Sequence, residues 1–196
     1  MSNVKYLNEQ ETRDLFQKIS GSANRHAVRN RAIFQTAKYC ALRAGEIGML
    51  RIGDYDMEKH QLFCTREKGS YNNTIRIIDP DVSGALDAYY QERILNQTDN
   101  SALFLSNRNT PISRHQLHRL MKEFCEGIHI PKDKQHFHVL KHTRAVELAE
   151  LGVDLKDIQW WLGHKNISNT LIYLQFTTRQ QDALYKYLED KQKEKK

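Results

Sequence analysis

The sequence predicts a mainly helical domain with one small three-stranded antiparallel sheet, an α+β fold. Apolar residues recur at helical spacings through most of the chain, one short stretch alternates between apolar and polar residues, and only three prolines interrupt the 196 residues. A single core in a chain of this length buries about 70 % of the unfolded surface. The fold therefore needs neither a disulfide nor a metal ion for stability.

Two helices are predicted before the sheet. Asn8 followed by Glu11 has the spacing of a capping box, which opens a helix that ends at Gly21. The second helix spans about residues 24–41, where apolar positions such as Ile33 recur every three to five residues.

The sheet is predicted between residues 50 and 79. Two β-rich runs at 62–65 and 74–78 flank a Gly/Asn-rich turn at 69–73, which is typical of a hairpin. A strand near residues 51–55 completes three strands.

Helical patterns return after Pro80 and continue nearly to the C-terminus. The predicted helices span about residues 81–95, 113–126, 138–151, 154–162, 166–174 and 179–192.

Charge and composition restrict the class of partner. Thirty Lys and Arg residues against 24 Asp and Glu give a net charge of +6, which favours a polyanion such as nucleic acid. No apolar run approaches the roughly 20 residues of a membrane helix, and the N-terminus lacks the apolar segment of a secretory signal. Cys40, Cys64 and Cys125 form no Cys-x-x-Cys pair, as expected of buried thiols in a reducing cytoplasm.

The densest polar cluster surrounds His138. Six of the nine histidines lie between His115 and His142, and the i, i+4 spacing of His138 and His142 raises the possibility of zinc. Lys141 lies between them without a nearby acid or cysteine, which argues against a metal. The alternative is an anion site, in which a helix beginning near His138 directs its free N–H groups outward and carries Lys141 and Arg144 at i+3 steps. A solvated basic face with core histidines is the third interpretation.

Two further candidate residues lie downstream of this cluster. His164, in the triplet Leu162-Gly163-His164, follows His138 by 26 residues, and Tyr173 follows His164 by nine.

Two further elements precede the cluster. Arg43 is followed at i+3 by Glu46, which can pair with its guanidinium, and Lys68 lies before Gly69 in the predicted hairpin. In this order and spacing, the elements resemble the catalytic domain of the tyrosine recombinase, or phage-type integrase, family. The resemblance extends from about residue 6 to residue 176.

The resemblance implies a site-specific recombinase that integrates, excises or inverts DNA through a covalent 3′-phosphotyrosine. Tyr173 would attack the scissile phosphate, and no metal or cofactor is implied. The remaining roles are the phosphate clamp (Arg43, Lys141 and His164), the tyrosine base or orienting group (His138), the acid for the leaving oxygen (Lys68) and two supporting residues (Glu46 and Arg144).

The chain departs from the family pattern at Lys141, where the family has arginine. Lysine supplies charge without the planar fork of a guanidinium. Three explanations are open: Lys141 is a working substitute, Arg144 reaches the phosphate instead, or the domain is catalytically weak. We favour the first because the other elements are present. The alternative function is a catalytically weak DNA-binding accessory or regulatory protein, whereas a type IB topoisomerase fits the histidine motif less well.

The expected partners are double-stranded DNA and further copies of the chain in a tetrameric synapse on DNA. Residues 1–178 are interpreted as the catalytic domain, and 179–196 as a C-terminal helix and charged tail that docks either on a neighbouring protomer or on its own domain. The usual preceding core-binding domain is not seen, as in an excised domain or a short recombinase such as the fimbrial-switch invertases. We expect a cytoplasmic protein that associates with the nucleoid when bound to DNA.

Overall fold

The computed structural model describes residues 4–96, 98–176, 185–188 and 192–193. It confirms the predicted fold class, because helices surround one three-stranded antiparallel sheet. The helices are α1 (Glu9–Ser20), α2 (Ala27–Tyr39), α3 (Ala44–Met49), α4 (Pro80–Leu95), α5 (Arg114–Cys125), α6 (Val139–Glu150), α7 (Leu155–Leu162) and α8 (Ser168–Leu171), and the strands are β1 (Tyr55–Asp56), β2 (Gln61–Cys64) and β3 (Asn73–Arg76).

The first helix begins as predicted. The Asn8 side chain accepts a hydrogen bond from the Glu11 backbone at 2.8 Å, and the Glu11 carboxylate accepts one from the Asn8 backbone at 2.8 Å. Leu15 and Ile19 are buried on the inward face of α1. The capping box therefore fixes where the chain enters the core.

The second predicted helix is wrong at its C-terminal end. Helix α2 ends at Tyr39, Ala41 adopts a left-handed conformation with φ of 51°, and the chain starts again as α3. A helix of six residues is too short to show apolar periodicity, so the sequence did not predict it. This break places Arg43 in an extended conformation at the N-cap of α3.

The sheet has the order β1-β2-β3, with Leu62 paired to Tyr55 on one side and to Ile75 on the other. The hairpin is confirmed, whereas the strand predicted near 51–55 is wrong over most of its length. Residues 52–54 form a 3-10 turn, because the Asp54 carboxylate accepts the Arg51 backbone N–H at 2.7 Å and closes it.

The core is centred on α2, which packs against α1, α4 and α6. The ring of Phe34 lies edge-on to those of Phe124 and Phe137, with centroids 5.3 Å apart in both pairs. The three cysteines are buried and free, as predicted. None of the helices in the described ranges is long and apolar enough to cross a membrane.

A second, smaller apolar cluster forms where α6, α7 and the segment around Tyr173 meet. The helix predicted over 166–174 is interrupted: α8 ends at Leu171, and a 3-10 turn follows at residues 174–176. Tyr173 lies between them and is 1 % exposed. Most of the helix predicted over 179–192 falls outside the described residues.

The hairpin loop docks on the end of α7 at Gly163. Its carbonyl accepts the Tyr71 backbone N–H at 2.8 Å, and Gly163 has φ of 68°. A Cβ at this position would stand 2.7 Å from the Tyr71 carbonyl oxygen. Glycine is therefore required both by the backbone conformation and by the close approach.

We predict that Gly163→Ala lowers the free energy of unfolding by more than the roughly 1 kcal/mol that a left-handed alanine costs. The additional loss comes from displacement of the Tyr71 backbone. Denaturant titration measures it, with Gly152→Ala as the matched control, because Gly152 has φ of 77° and a Cβ at that position would meet nothing within 4 Å. Equal losses in the two variants would contradict this account of the docked loop.

Candidate catalytic site

The pairing predicted between Arg43 and Glu46 is confirmed. Glu46 accepts the Arg43 Nη1 donor at 2.8 Å and the Arg43 backbone N–H at 2.9 Å. The carboxylate is fully buried, whereas 28 % of the Arg43 side chain is exposed. On its other side Arg43 Nη1 lies 3.3 Å from Ser70 Oγ in the hairpin loop. The pair fixes the guanidinium at the surface of the cluster.

Glu46 also contacts Arg66, a residue that the sequence patterns did not single out. Arg66 is buried, and its guanidinium lies 3.3 Å from Glu46 Oε2. It donates further hydrogen bonds to the carbonyls of Cys40 at 3.0 Å, Ala41 at 3.0 Å and Trp161 at 2.8 Å. Arg66 thus ties the base of the hairpin to the end of α2 and to α7. In the sequence it belongs to a charged run that is typical of an exposed turn.

Lys68 lies in the turn that Arg66 anchors. Its side chain is exposed, and the turn is closed by a hydrogen bond from the Ser70 backbone to the Glu67 carbonyl at 3.1 Å. Ser70 of the same turn contacts Arg43, so the turn that carries Lys68 lies against the cluster while the Lys68 side chain is exposed to solvent.

Lys141 lies inside the cluster and is 1 % exposed. Its Nζ donates to the Leu162 carbonyl at 2.7 Å. Burial lowers the pKa of Lys141 to about 7, an effect opposed by Glu46 and reinforced by Arg66 and Arg43. The lysine therefore carries a charge that changes near neutral pH.

His138, at the N-cap of α6, packs edge-on against the ring of His142 with centroids 4.5 Å apart. The Nδ1 atom of His142 lies 2.7 Å from the Tyr173 hydroxyl. Burial and the nearby cations lower the pKa of His138 to about 3 and that of His142 to about 4. Burial raises the pKa of Tyr173, and only the Arg43 charge opposes it. The sequence does not predict a catalytic role for His142, because residue spacing carries no information on its contact with Tyr173.

His164 is held by Thr170, whose Oγ1 lies 3.0 Å from His164 Nδ1. His164 also pairs with Ser70 in an isolated antiparallel bridge, so the hairpin loop and the Leu-Gly-His turn support each other. Burial, followed by the Lys141 and Arg43 charges, lowers the pKa of His164 to about 3. The ring is therefore a neutral hydrogen-bonding group.

Arg144 is the predicted residue that the structure does not bring to this cluster. Its guanidinium lies 4.7 Å from the ring centroid of Tyr39 and 5.0 Å from that of Trp161, and its Nη1 lies 3.4 Å from Glu147. It is half-buried between these groups.

Arg43 lies close enough to the other buried residues of the cluster to interact with them electrostatically. Its charge influences the pKa values of Lys141, Tyr173 and three histidines, which are His138, His142 and His164. A tyrosine hydroxyl, neutral imidazoles and cations thus lie together with Glu46 as their buried counter-ion. Across the described part of the chain, no group of three or more His, Cys, Asp or Glu residues is arranged to hold a metal ion. The arrangement fits a phosphate.

Comparisons with known proteins agree with this geometry. A family model described as "Phage integrase family" matches residues 5–180. The type 1 fimbriae regulatory protein FimE of Escherichia coli K12 is 30 % identical over 178 residues, which cover 88 % of this chain and 86 % of that protein. The crystal structure of XerA recombinase is similar with a TM-score of 0.75 and 30 % identity, covering 86 % of this chain and 59 % of that one.

A fold similarity extends to the XerH site-specific recombinase bound to its difH substrate, in a pre-cleavage complex. The TM-score is 0.76 at 20 % identity, and the match covers 92 % of this chain and 53 % of that one. The chain therefore spans most of the length of FimE and little more than half of the two solved recombinases.

We predict that Glu46→Gln lowers the free energy of unfolding at neutral pH by about 3–5 kcal/mol, because the buried cations lose their counter-ion. Burial alone would raise the pKa of Glu46, but Lys141, Arg66 and Arg43 outweigh it and the pKa lies below its ordinary value. The carboxylate therefore stabilises the fold above the unfolded pKa, and this stability is lost as pH falls through the folded pKa.

Denaturant titrations between pH 3 and pH 7 measure this loss. Glu123→Gln is the control, because its ion pair with Arg119 is exposed and contributes below about 0.5 kcal/mol. A Glu46→Gln variant as stable as the parent would contradict the role of Glu46 as the shared counter-ion.

Proposed function

We propose, because the chain belongs to the phage integrase family, that Tyr173 is the nucleophile with which it cuts and rejoins DNA. The chain is a site-specific tyrosine recombinase, and hence a DNA strand-transferase. The observation that carries the assignment of Tyr173 is its position. Its hydroxyl lies 2.7 Å from His142, within the same group of residues whose pKa values Arg43 influences.

In the proposed step, the Tyr173 oxygen attacks the scissile phosphorus and the bond from phosphorus to the 5′ oxygen breaks. The products are a 3′-phosphotyrosine and a free 5′-hydroxyl. Lys68 supplies the proton to the leaving 5′ oxygen, a role supported by its exposed position in the turn that lies against the site. Attack by a 5′-hydroxyl of a second strand reverses the step and reseals the backbone without an external energy source.

The phosphate is held by charge and by hydrogen bonds. Arg43 is oriented by Glu46 and partly exposed, so its guanidinium can meet the non-bridging oxygens. His164, fixed by Thr170, supplies a neutral donor. These groups are positioned before the charge develops, which is the condition for strong transition-state stabilisation. His138 acts on the tyrosine proton indirectly, because its ring packs against the ring of His142.

The position where the family has arginine is filled by Lys141 in our proposal. Its Nζ lies in the cluster with Glu46 and Arg43, whereas the Arg144 guanidinium stacks on Tyr39 and Trp161. Because Lys141 is buried and bonded to a carbonyl, it acts on the phosphate through its charge, whereas Arg43 makes the direct contact. This favours the working substitute among the three explanations.

We further propose that the protein acts on double-stranded DNA as a tetrameric synapse, in the cytoplasm and on the nucleoid while it is bound. Residues 1–178 form the catalytic domain, and residues 179–196 dock on a neighbouring protomer. A non-cleaving accessory protein is not favoured, because the nucleophile and the cationic cluster are both assembled.

We predict a covalent DNA adduct that depends on Tyr173. Genomic fragments of the source organism are incubated with the protein, and the covalent adducts are recovered by detergent and potassium precipitation and sequenced. A nicked suicide duplex built on the recovered site should then give an adduct in denaturing electrophoresis. Tyr173→Phe should abolish it, because the variant lacks the hydroxyl that forms the phosphotyrosine.

Tyr90→Phe is the matched control and should cleave like the parent, since Tyr90 lies on α4 and packs against Tyr55. Tight binding to the genomic fragments with no covalent adduct recovered from the parent would instead support the accessory protein.

We predict that cleavage declines as pH rises through the Lys141 pKa, which is about 7 in the free protein and is raised by a bound phosphate. Lys141→Arg should remove this decline, because a guanidinium keeps its charge. Lys141→Ala should slow cleavage about 10²- to 10³-fold at low pH, where Lys141 is charged, and by less at high pH, where the parent has lost that charge. Single-turnover rates on the suicide duplex from pH 6 to pH 10 test both expectations.

Arg144→Ala is the comparison in the same series. If our proposal is correct, cleavage by this variant still declines as pH rises through the Lys141 pKa. Full cleavage by Lys141→Ala, with loss of cleavage in Arg144→Ala, would move the second cationic role to Arg144.

A further inference from the structure

The tyrosine hydroxyl directly contacts a histidine, His142, whose own chemical role the proposed function leaves unspecified. His142 Nδ1 lies 2.7 Å from Tyr173 Oη, and the two rings are tilted by 50° with centroids 6.0 Å apart. His138, which the family resemblance associates with the tyrosine proton, contacts the ring of His142. The three side chains therefore form a row in which His142 is in the middle.

Because the Tyr173 hydroxyl is buried, its proton must be accepted by another group of the protein. Tyr173 is 1 % exposed, so bulk water does not surround the hydroxyl that must lose its proton. A phenol deprotonates with more difficulty in such surroundings, and burial indeed raises the pKa of Tyr173. A base in direct contact with Oη removes this obstacle during the attack itself.

The charges around His142 keep it neutral and hence able to accept. Tyr173 faces it from the segment after α8, His138 and Lys141 from α6, His136 from the preceding segment and Arg43 from the start of α3. Burial, followed by the charges of His136, Lys141 and Arg43, lowers the pKa of His142 to about 4. A scissile phosphate offsets the cationic charges, so the proton affinity of His142 rises when DNA occupies the site.

We propose that His142 accepts the hydroxyl proton of Tyr173 during strand cleavage. As Tyr173 Oη bonds to phosphorus, the O–H bond breaks, the proton moves to Nδ1 of His142, and the bond to the 5′ oxygen breaks. On rejoining, the same proton returns to Oη. The step requires the tautomer of His142 that carries its hydrogen on Nε2, and it rests on Tyr173 being the nucleophile, as proposed above.

Two substitutions separate proton acceptance from hydrogen bonding. His142→Asn keeps a short polar side chain that can hydrogen-bond to Tyr173 but cannot take its proton at neutral pH, and His142→Ala removes both. We expect each variant to bind the suicide duplex like the parent and to cleave it about 10²- to 10⁴-fold more slowly in single-turnover assays. Added imidazole should restore part of the rate to His142→Ala. Cleavage by His142→Asn within about threefold of the parent rate would overturn the proposal.

His26→Gln is the matched control, because it changes a half-buried histidine at the start of α2 that is hydrogen-bonded to Arg25 and should cleave like the parent. Thermal unfolding establishes that each variant is folded. A second test uses the unsubstituted protein and determines which nitrogen of His142 carries the hydrogen. Nitrogen-15 NMR of the imidazoles should show His142 neutral with its hydrogen on Nε2, and a hydrogen on Nδ1 would overturn the proposal.

The outcomes also distinguish this proposal from the one on which it rests. If the parent forms an adduct that Tyr173→Phe abolishes, and His142→Asn cleaves normally, only the role of His142 fails. If the parent binds the genomic fragments but no covalent adduct is recovered, both proposals fail.

Discussion

The buried carboxylate of Glu46 is the interaction on which the site depends. It is fully buried and lies between Arg43, which faces the surface, and Arg66, which is buried beneath the hairpin. Lys141 contributes a third cationic group within its electrostatic reach. Burying cations together is costly unless a counter-ion and hydrogen bonds compensate them. One carboxylate therefore holds together the start of α3, the base of the hairpin and the first turn of α6, which are distant in sequence.

Glu46 neutralises only part of the positive charge around it, and the remaining positive charge favours an anionic substrate. A single carboxylate faces three cationic side chains. Burial, reinforced by the surplus positive charge, lowers the pKa values of His138, His142 and His164 and keeps them neutral. A neutral imidazole can both accept and donate hydrogen bonds, whereas a protonated imidazole can only donate them. In the proposed mechanism, a phosphate entering the site supplies the missing negative charge. The groups proposed to bind the phosphate and those proposed to handle the tyrosine proton are thus linked by the same electrostatic interactions.

Local patterns in the sequence predicted the parts of the fold that local interactions determine. The capping box of Asn8 and Glu11 and the Arg43–Glu46 pair both join residues three positions apart, and both are confirmed. Contacts across the chain were not accessible in this way. Arg66 bonds to Trp161, 95 residues later, and His142 meets Tyr173, 31 residues later. Charged runs and histidine spacing look alike whether such side chains are exposed or buried. The resemblance to a family gave the order of the site residues but not these supporting contacts.

The lysine at position 141 gives this balance a property that an arginine would not. A buried guanidinium keeps its charge at any physiological pH, so the site would hold a fixed number of cations with or without DNA. Lys141 has a pKa of about 7 in the free protein and can lose its proton when no anion is present. The cost of burying it beside Arg43 and Arg66 is then reduced. In the proposed mechanism a bound phosphate raises that pKa, so the lysine takes up a proton as DNA enters. Binding of the substrate would therefore increase the positive charge at position 141.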